Sequence, residues 1–266
     1  MEHLLDVMME TARNAGRLML EAGNEEIGVK TKSSFRDLVT KYDVMVQTLA
    51  VRQLSTAFPE ARFISEEGEG LENGEESSGQ SIVFVIDPID GTANFSHHYQ
   101  HSCISIGCIC GGEPAAGVVF DPFLNEMFSA IRGKGAFLNG RQLLIPRHSL
   151  SESLVLFGSS PYYMELADET FRNVREVFGR CQDIRRTGSA ALDLCYIAAG
   201  RAGLFFECML SIWDYAAGAL IVKEAGGVCT SMKGAELIFH KPAKSSVIAG
   251  RAEIIQESGL IREPQQ

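Results

Sequence analysis

Strand-like runs alternate with helix-like segments throughout the second half of the chain. The runs are LVLFG, DIRR, GLFFE and SVIAG, and a last helix is predicted after SVIAG. The segments between the runs predict helices near 162–178, over 189–199 and over about 214–225. Because each strand and each helix must bury an apolar face, this alternation predicts an α/β fold in which helices and sheets pack in layers.

The first half of the chain is richer in strand signals. Apolar residues at helical spacing predict helices over 4–22 and 43–58, and the polar segment 30–42 predicts a short hairpin. Apolar runs predict strands at ARFIS and SIVFVI and several more within 102–130. Asn139-Gly140 is a strong signal for a hairpin turn.

Length and the change of pattern near residue 150 bound the domain organisation. A chain of 266 residues is typical of one or two domains and is long enough to bury a large core. We predict a single unit of residues 1–266, in which two subdomains, 1–150 and 151–266, share one core.

Charge and hydropathy exclude several classes of protein. The chain carries 24 Lys and Arg against 34 Asp and Glu, a net charge of −10, whereas nucleic-acid binders usually present a basic face. The N-terminal segment lacks the pattern of a signal peptide, and no apolar run approaches the roughly 20 residues that span a bilayer. We therefore predict a cytoplasmic protein that binds neither nucleic acid nor membrane.

Cations are absent from a long stretch of the first half. No Lys or Arg occurs between Arg62 and Arg132, where a uniform spread would place about six, and eleven carboxylates lie there. The segment 66–81 is rich in Glu and Gly without periodicity and predicts a mobile, solvated acidic loop. That interpretation does not cover Asp87 and Asp90, which follow directly on a buried strand.

The sequence DPIDGT, directly after the run SIVFVI, has the pattern of a phosphate or metal site. A bare carboxylate at the end of a buried strand is costly, so Asp87 and Asp90 need a partner. Two aspartates three residues apart can hold one hard cation, with the carbonyl of Ile89 as a further oxygen ligand. Gly91 lets the backbone approach an anion. The alternative is an ordinary turn, because Asp, Pro and Gly are common turn residues.

A second acid, Asp214 in IWDYAAGALIVKEAGG, repeats the order of apolar strand, acid, tight turn and helix. Either Asp214 is a ligand in the same site, or it only caps the helix that follows it. Glu207 ends the run GLFFE seven residues earlier. For Glu207 the alternatives are a hydrogen bond to a substrate hydroxyl and a structural salt bridge with an arginine such as Arg186.

Four motifs together resemble the signatures of the inositol monophosphatase family. DPIDGTANF and WDYAAGALIVKEAGG are similar to its paired signatures, and FISEEG and DLVTKYD match two further acidic motifs in the same order. GSAA and FFE fit as well, and the resemblance extends over about residues 4–250. It implies an α-β-α-β-α sandwich of the inositol monophosphatase and fructose-1,6-bisphosphatase type. It also implies a Mg²⁺-dependent phosphatase that forms a homodimer and is inhibited by lithium.

According to the resemblance, the acidic motifs meet in one metal site with two or three Mg²⁺ ions. One ion would be held by Glu66, Asp87 and the carbonyl of Ile89. Another would be held by Asp87, Asp90 and Asp214, with Asp87 bridging the two. Two metals supply an activated water, neutralised phosphoryl oxygens and a stabilised leaving oxygen. They would also replace the Lys and Arg that usually surround a phosphate.

The resemblance also implies groups that orient water and phosphate. Glu66, with Thr92 and Asp43 nearby, would orient the attacking water. The phosphate would lie beside Asp90 and accept hydrogen bonds from the N–H groups of Gly91 and Thr92 and from the Thr92 hydroxyl.

On the substrate side, the resemblance implies that Ala190 and Glu207 face the alcohol part. Many relatives have a histidine three residues before the WD aspartate, where this chain has Ser211. We predict hydrolysis of small polyol or sugar phosphates, foremost myo-inositol monophosphate. The alternatives are a sister phosphatase acting on histidinol phosphate, fructose 1,6-bisphosphate or 3′-phosphoadenosine 5′-phosphate, and an inactive relative that acts as a binding protein.

Basic side chains near the motifs complete the candidates. Lys32 and Arg36 are the nearest candidates for a cationic helper, the alternative being solvated side chains. His97, His98 and His101 follow the DGT turn, and for them we favour surface or dimer-contact roles over a metal role.

Overall fold

The computed structural model describes residues 1–22, 28–32, 35, 38–68, 82–239 and 241–261. The helices in this part of the chain are α1 (Glu2–Glu21), α2 (Lys41–Ala57), α3 (Thr92–Ser96), α4 (Ala167–Phe178), α5 (Ala190–Ala198), α6 (Ile212–Glu224) and α7 (Ala252–Ser258). The first strands are β1 (Lys30–Thr31), β2 (Leu38–Val39), β3 (Arg62–Ser65), β4 (Ile82–Asp90), β5 (Cys103–Cys110), β6 (Glu113–Asp121), β7 (Glu126–Ile131), β8 (Gly135–Leu138) and β9 (Arg141–Leu143). The later strands are β10 (Leu154–Phe157), β11 (Asp183–Arg185), β12 (Leu204–Ser211), β13 (Val228–Thr230) and β14 (Lys244–Gly250).

The strands form two large sheets and one short hairpin. Strands β3 to β9 lie side by side in chain order, and every neighbouring pair is antiparallel except the parallel pair β3–β4. The second sheet has the order β11-β10-β12-β14-β13 and is mixed. Strands β1 and β2 form the hairpin that the sequence predicts near residues 30–42. The change of pattern near residue 150 therefore marks the passage from the larger sheet to the smaller one.

Three buried apolar clusters separate five layers. The first lies between helices α1 and α2 and one face of the seven-stranded sheet. The second lies between the other face of that sheet, helices α5 and α6, and the five-stranded sheet. The third lies between the five-stranded sheet and helices α4 and α7. The α-β-α-β-α sandwich is confirmed, while the division into two subdomains stays a prediction, because the second cluster draws residues from both halves.

Several predicted boundaries are shifted in the structure. The helix predicted near 162 begins as an α-helix only at Ala167, after a 3-10 turn over Met164–Leu166. The hairpin at Asn139-Gly140 is confirmed, and both residues have positive φ, 49° and 78°, as a type I′ turn requires. Residues 69–81, most of the predicted acidic loop, lie outside the described residues. Among the helices described, none has the length and apolar composition that a membrane crossing needs.

Helix α6 packs closely on the seven-stranded sheet because the strands beneath it carry glycines. A Cβ atom at Gly117 would lie 2.9 Å from the carbonyl oxygen of Ala217, and one at Gly107 would lie 3.0 Å from the Cβ of Ala216. Real Cβ atoms essentially never come closer than 3.0 Å to such neighbours. The two glycines therefore set the depth at which α6 lies over the sheet.

We expect Gly117→Ala to lower the free energy of unfolding by about 1–3 kcal/mol, because the added methyl group overpacks the contact with α6. Urea denaturation measures this loss. Gly179→Ala is the matched control, since Gly179 has a φ of −77° and open space around the position of a Cβ. Equal stability of the two variants would contradict the close packing of α6.

Candidate functional site

The acidic motifs meet in a cleft of about 800 Å³. It lies where β4 and β12 end and where α3, α5 and α6 begin. Nine predicted site residues line it: Glu66, Asp87, Ile89, Asp90, Gly91, Thr92, Ala190, Glu207 and Asp214. The tenth, Asp43, is fully buried behind the wall and contacts it through Thr92.

Asp87, Asp90 and Asp214 form the centre of this cleft. One carboxylate oxygen from each lies within 4.8 Å of the others. The Oδ1 atom of Asp87 is buried and accepts no hydrogen bond from any described residue. Burial and the nearby carboxylates of Glu66, Asp90, Asp214 and Asp43 raise the pKa of Asp87 far above its usual value. Clustered carboxylate oxygens without a counter-charge are the ligands that hard divalent cations prefer, so these residues fit a metal site.

A β-bulge brings Asp87 and Asp90 to the same side of β4. Residues three apart on a regular strand point to opposite faces of the sheet. Here Asp87 pairs with Ser105 and Asp90 with Cys103, so three steps on β4 oppose two on β5. The extra residue restores a common direction for the two carboxylates. The strand thus continues through Pro88 to Asp90.

Asp90 is held by the start of helix α5. Its Oδ2 atom accepts hydrogen bonds from the Ser189 hydroxyl at 2.6 Å and from the Ala191 N–H at 2.7 Å. Burial still raises the pKa of Asp90, although these bonds oppose the shift. One residue therefore connects the DPIDGT turn with a helix that lies 100 residues further along the chain.

Asp214 and Asp43 are each held at the third position of a helix. Helix α6 begins at Ile212, so Ser211 is its N-cap and Asp214 accepts the Ser211 N–H at 2.6 Å. Helix α2 begins at Lys41, and Asp43 accepts the Thr40 N–H at 2.8 Å. Both helices start two residues before the predicted positions, because the capping serine or threonine lies upstream of the acid.

These contacts show that the two interpretations of Asp214 are compatible. The capping bond uses its Oδ2 atom, and the same carboxylate belongs to the group of three aspartates. The helix start therefore fixes the direction of a side chain that also faces the cleft.

Glu66 lies on the cleft wall next to Lys32. The Lys32 Nζ is 3.2 Å from Glu66 Oε1 and also forms an ion pair with Glu67. Burial raises the pKa of Glu66 to about 7 in spite of the opposing effect of Lys32. Within the described part of the chain, Glu66 is not among the three acids whose oxygens lie within 4.8 Å, so its role as a ligand stays a prediction. Arg36, the other candidate cation, lies outside the described residues.

Thr92 connects the cleft with the buried Asp43. Its hydroxyl lies 3.2 Å from Asp43 Oδ1 and 3.0 Å from the carbonyl oxygen of Ile89, and it can donate to one of them at a time. Gly91, directly before it, has a φ of 90°. A Cβ atom there would lie 3.1 Å from the carbonyl oxygen of His101, so the turn favours glycine both by conformation and by space.

Glu207, near the end of β12, lines the cleft and is buried. Its Oε1 atom accepts a hydrogen bond from the Ser160 N–H at 2.8 Å, and a Cβ atom at Gly158 would collide with its carboxylate. Burial raises the pKa of Glu207 to about 7, while Arg186 has the opposite effect. Among the described residues Glu207 has no ion pair within 4 Å, so its structural partner is the Ser160 backbone rather than Arg186.

Sequence reasoning missed the outer wall of the cleft. Four residues from the five-stranded half line it: Ser160, Tyr162, Tyr163 and Lys244. Lys244 donates a hydrogen bond to the Tyr163 hydroxyl from 81 residues away. A usable signal was present, because SSPYY directly follows the strand LVLFG just as DPIDGT follows its own strand.

The three histidines after the DGT turn do not join the aspartates. His97 is exposed at the cleft wall and His98 is exposed with a φ of 53°. The ring of His101 contacts that of Tyr196, with centroids 5.8 Å apart. Of the residues that the structure describes, only Asp87, Asp90 and Asp214 form a group of potential metal ligands.

We expect the metal-free protein to lose stability as pH rises from about 4 to about 7. A carboxyl group whose pKa is raised on folding binds its proton more tightly in the folded state, and deprotonation therefore favours unfolding. Mg²⁺ at a hundredfold excess over its Kd should add about 2.7 kcal/mol of stability at pH 8. Thermal unfolding in EDTA and in Mg²⁺ measures both effects.

The variant Asp87→Asn distinguishes the effect of carboxylate repulsion on stability from the effect of metal binding. In EDTA at pH 8 we expect it to be more stable than the wild type, on the order of 1–3 kcal/mol, because one buried charge is removed. It should gain no stability from Mg²⁺. Asp168→Asn, on the exposed side of α4, is the control and should respond like the wild type. A wild-type Tm that is the same in EDTA and in Mg²⁺ would contradict the metal site.

Comparison with known proteins identifies the family of this chain. The model of the inositol monophosphatase family matches residues 1–263. The chain is 38% identical to the Nus factor SuhB of Xylella fastidiosa, over 97% of this chain and 96% of that protein. It is 36% identical to inositol monophosphatase 2 of Solanum lycopersicum, over 89% of this chain and 90% of that protein.

The fold agrees with these matches. The crystal structure of the extragenic suppressor protein suhB from Bartonella henselae is similar to this chain with a TM-score of 0.88 at 35% identity, and 96% of each chain is covered. Because the family model spans nearly the whole sequence and the relatives match over almost their full length, the chain belongs to the inositol monophosphatase family.

Proposed function

We propose that this protein is a Mg²⁺-dependent phosphomonoesterase of small polyol or sugar phosphates, foremost myo-inositol monophosphate. The observation that carries the proposal is the group of Asp87, Asp90 and Asp214, in which the buried Oδ1 of Asp87 has no hydrogen-bond partner among the described residues. A group of this kind is costly to bury unless a cation neutralises it. It lies in a cleft of about 800 Å³, which is large enough for such a substrate.

The residues that would hold the metals come from strand β4, from the start of α6 and from the turn after β3. Asp87 and Asp90 from β4 and Asp214 from α6 would hold one ion. Glu66 and the Ile89 carbonyl would join Asp87 at a second position. When bound, two ions supply an acidified water and neutralise the charge on the phosphoryl and leaving oxygens.

Thr92 and Glu66 would orient the attacking water. When the Thr92 hydroxyl donates its proton to Asp43, its oxygen can accept a hydrogen bond from the water. The Glu66 carboxylate would accept a second hydrogen bond from the same water. Lys32 holds Glu66 in place and contributes one of the few positive charges near the cleft.

The substrate's alcohol part would bind between Ala190 and Glu207. Because the Ser160 N–H is bonded to Oε1 of Glu207, the carboxylate has a fixed direction and can accept hydrogen bonds from substrate hydroxyls. Arg186 and Lys244 also line the cleft and would attract a negatively charged substrate. Ser211 is the N-cap of α6, and its backbone N–H, which a histidine would supply equally, orients Asp214.

A binding role is the second candidate, because several relatives carry the name Nus factor SuhB. A protein that only binds a partner would have no use for a buried, unpartnered Asp87. We therefore propose an active enzyme. A homodimer, a cytoplasmic location and inhibition by lithium belong to the same proposal.

Phosphate release from myo-inositol 1-phosphate should require Mg²⁺, stop in EDTA, and be inhibited by Ca²⁺ and by millimolar Li⁺. Asp214→Asn should lower kcat on the order of 10³-fold or more at saturating Mg²⁺, because a ligand carboxylate is lost. The asparagine oxygen can still accept the Ser211 N–H, so the start of α6 is kept. Asp90→Asn is a less clean test, since Asp90 also holds the start of α5.

Asp168→Asn is again the matched control and should be fully active. Turnover that survives EDTA, or near-native activity of Asp214→Asn, would refute the metal mechanism. A folded wild type that releases no phosphate from a panel of about ten phosphomonoesters would favour the binding role instead.

Glu207→Gln tests the substrate side. We expect kcat/KM for inositol phosphate to fall by roughly 1.5–3 kcal/mol in transition-state stabilisation, the size of a charged hydrogen bond. Hydrolysis of p-nitrophenyl phosphate, which has no hydroxyls to bind, should hardly change. Equal losses of kcat/KM on both substrates would indicate that Glu207 has a structural role. A lower Tm without a loss of kcat/KM would indicate the same. A loss confined to another sugar phosphate would favour a sister phosphatase.

A further inference from the structure

A second cavity, of about 350 Å³, lies behind the five-stranded sheet on the side of helices α4 and α7. Seven residues line it: Glu169, Asn173, Cys208, Met232, Lys233, Ser246 and Leu260. Cys208 directly follows Glu207 on β12, and successive side chains of a strand point to opposite faces. The cavity and the cleft therefore lie on opposite sides of the same strand, and they share no residue.

Asn173 places a polar amide on the wall of this cavity. It is only 4% exposed, and no described residue forms a hydrogen bond with its amide group. Because Asn173 lines the cavity, its amide is available to donate and accept hydrogen bonds with a ligand there. Ser246 adds a second polar group, because its Oγ accepts the Met232 N–H at 3.1 Å and its own proton remains available.

Two opposite charges stand at the mouth of the cavity. Glu169 on α4 and Lys233 in the turn after β13 are both exposed. Neither forms an ion pair within 4 Å with the other or with any further charged residue that the structure describes. A simple anion would meet Glu169 and a simple cation would meet Lys233, so the pair favours a ligand that carries both charges.

The floor of the cavity is apolar. Met232 and Leu260 are buried there, and the Cys208 sulfur is occupied by a hydrogen bond from Thr170 at 3.3 Å. Its volume lies at the lower end of the roughly 300–1,000 Å³ of small-molecule pockets. The ligand must therefore be small and must carry an apolar group.

We propose that this cavity binds a free α-amino acid with an apolar side chain. Its ammonium group faces Glu169, and its carboxylate accepts hydrogen bonds from Lys233 and from the Asn173 amide. Its side chain packs on Met232 and Leu260.

Isothermal titration calorimetry with L-leucine, L-methionine and L-phenylalanine tests this proposal. At least one of them should bind, and two analogues should bind about tenfold more weakly or worse: isoamylamine, which lacks the carboxylate of leucine, and 4-methylpentanoate, which lacks the ammonium group. Glycine, without a side chain, should also bind weakly. No heat of binding up to about 20 mM, or equal affinity for isoamylamine and leucine, would overturn the proposal.

Lys233→Gln and Glu169→Gln should each weaken binding about tenfold, and Asn173→Leu should do the same or more, because it removes the amide that bonds to the carboxylate. Lys233 and Glu169 are exposed, so their variants keep the test valid if Asn173→Leu does not fold. The matched controls are Lys223→Gln and Asp168→Asn, exposed residues outside the cavity, which should bind like the wild type. Equal losses in controls and cavity variants would refute the site. Calorimetry does not depend on phosphate release, so failure of the proposed activity leaves this test intact.

Discussion

Buried carboxylates repel one another in the cleft, and the helix starts around them are arranged to offset that repulsion. Asp87, Asp90 and Asp214 lie within 4.8 Å of one another, with Asp43 and Glu66 close enough to raise the pKa of Asp87 further. The fold offsets this repulsion by giving a partner to almost every acid. Helices α2, α5 and α6 each begin with N–H groups that bind one of them, and Lys32 binds Glu66. Of these acids, only Asp87 keeps a buried oxygen without a hydrogen-bond partner among the described residues.

At the starts of helices α5 and α6, an acid both accepts a hydrogen bond from the helix backbone and faces the cleft. From sequence, capping and metal binding are competing interpretations of Asp214, because a cap is the commoner use of an aspartate before a helix. In the structure the N–H of Ser211 takes one oxygen, and this bond aims the carboxylate at Asp87 and Asp90. Asp90 acts in the same way across two distant parts of the chain. Packing of α6 against Gly107 and Gly117 then fixes the depth of Asp214.

The sequence predicts the layers of helices and sheets well, and it also predicts the aspartates of the cleft, because both depend on local patterns. Strand runs followed by an acid and a glycine are visible without tertiary knowledge, as at Asp87 and Asp90. The residues of the outer wall cannot be predicted from such local patterns. Lys244 and Tyr163 are 81 residues apart in sequence and come into contact only in the folded protein. The partner of Glu207 was missed for a related reason. Charge patterns point to Arg186, whereas the partner is a backbone N–H of Ser160, which any residue but proline could supply.

The β-bulge in β4 has a counterpart in β12, where Glu207 pairs with Val247 and Leu210 with Ser245. Each bulge inserts one residue directly after an acid of the cleft. Side chains alternate along a strand, so a register without the extra residue would turn the residues that follow it to the opposite face. In such a register, Asp90 would point away from Asp87, and the residues after Glu207 would exchange faces in the same way. Backbone pairing at these two points, as much as residue type, therefore decides which side chains of β4 and β12 face the cleft.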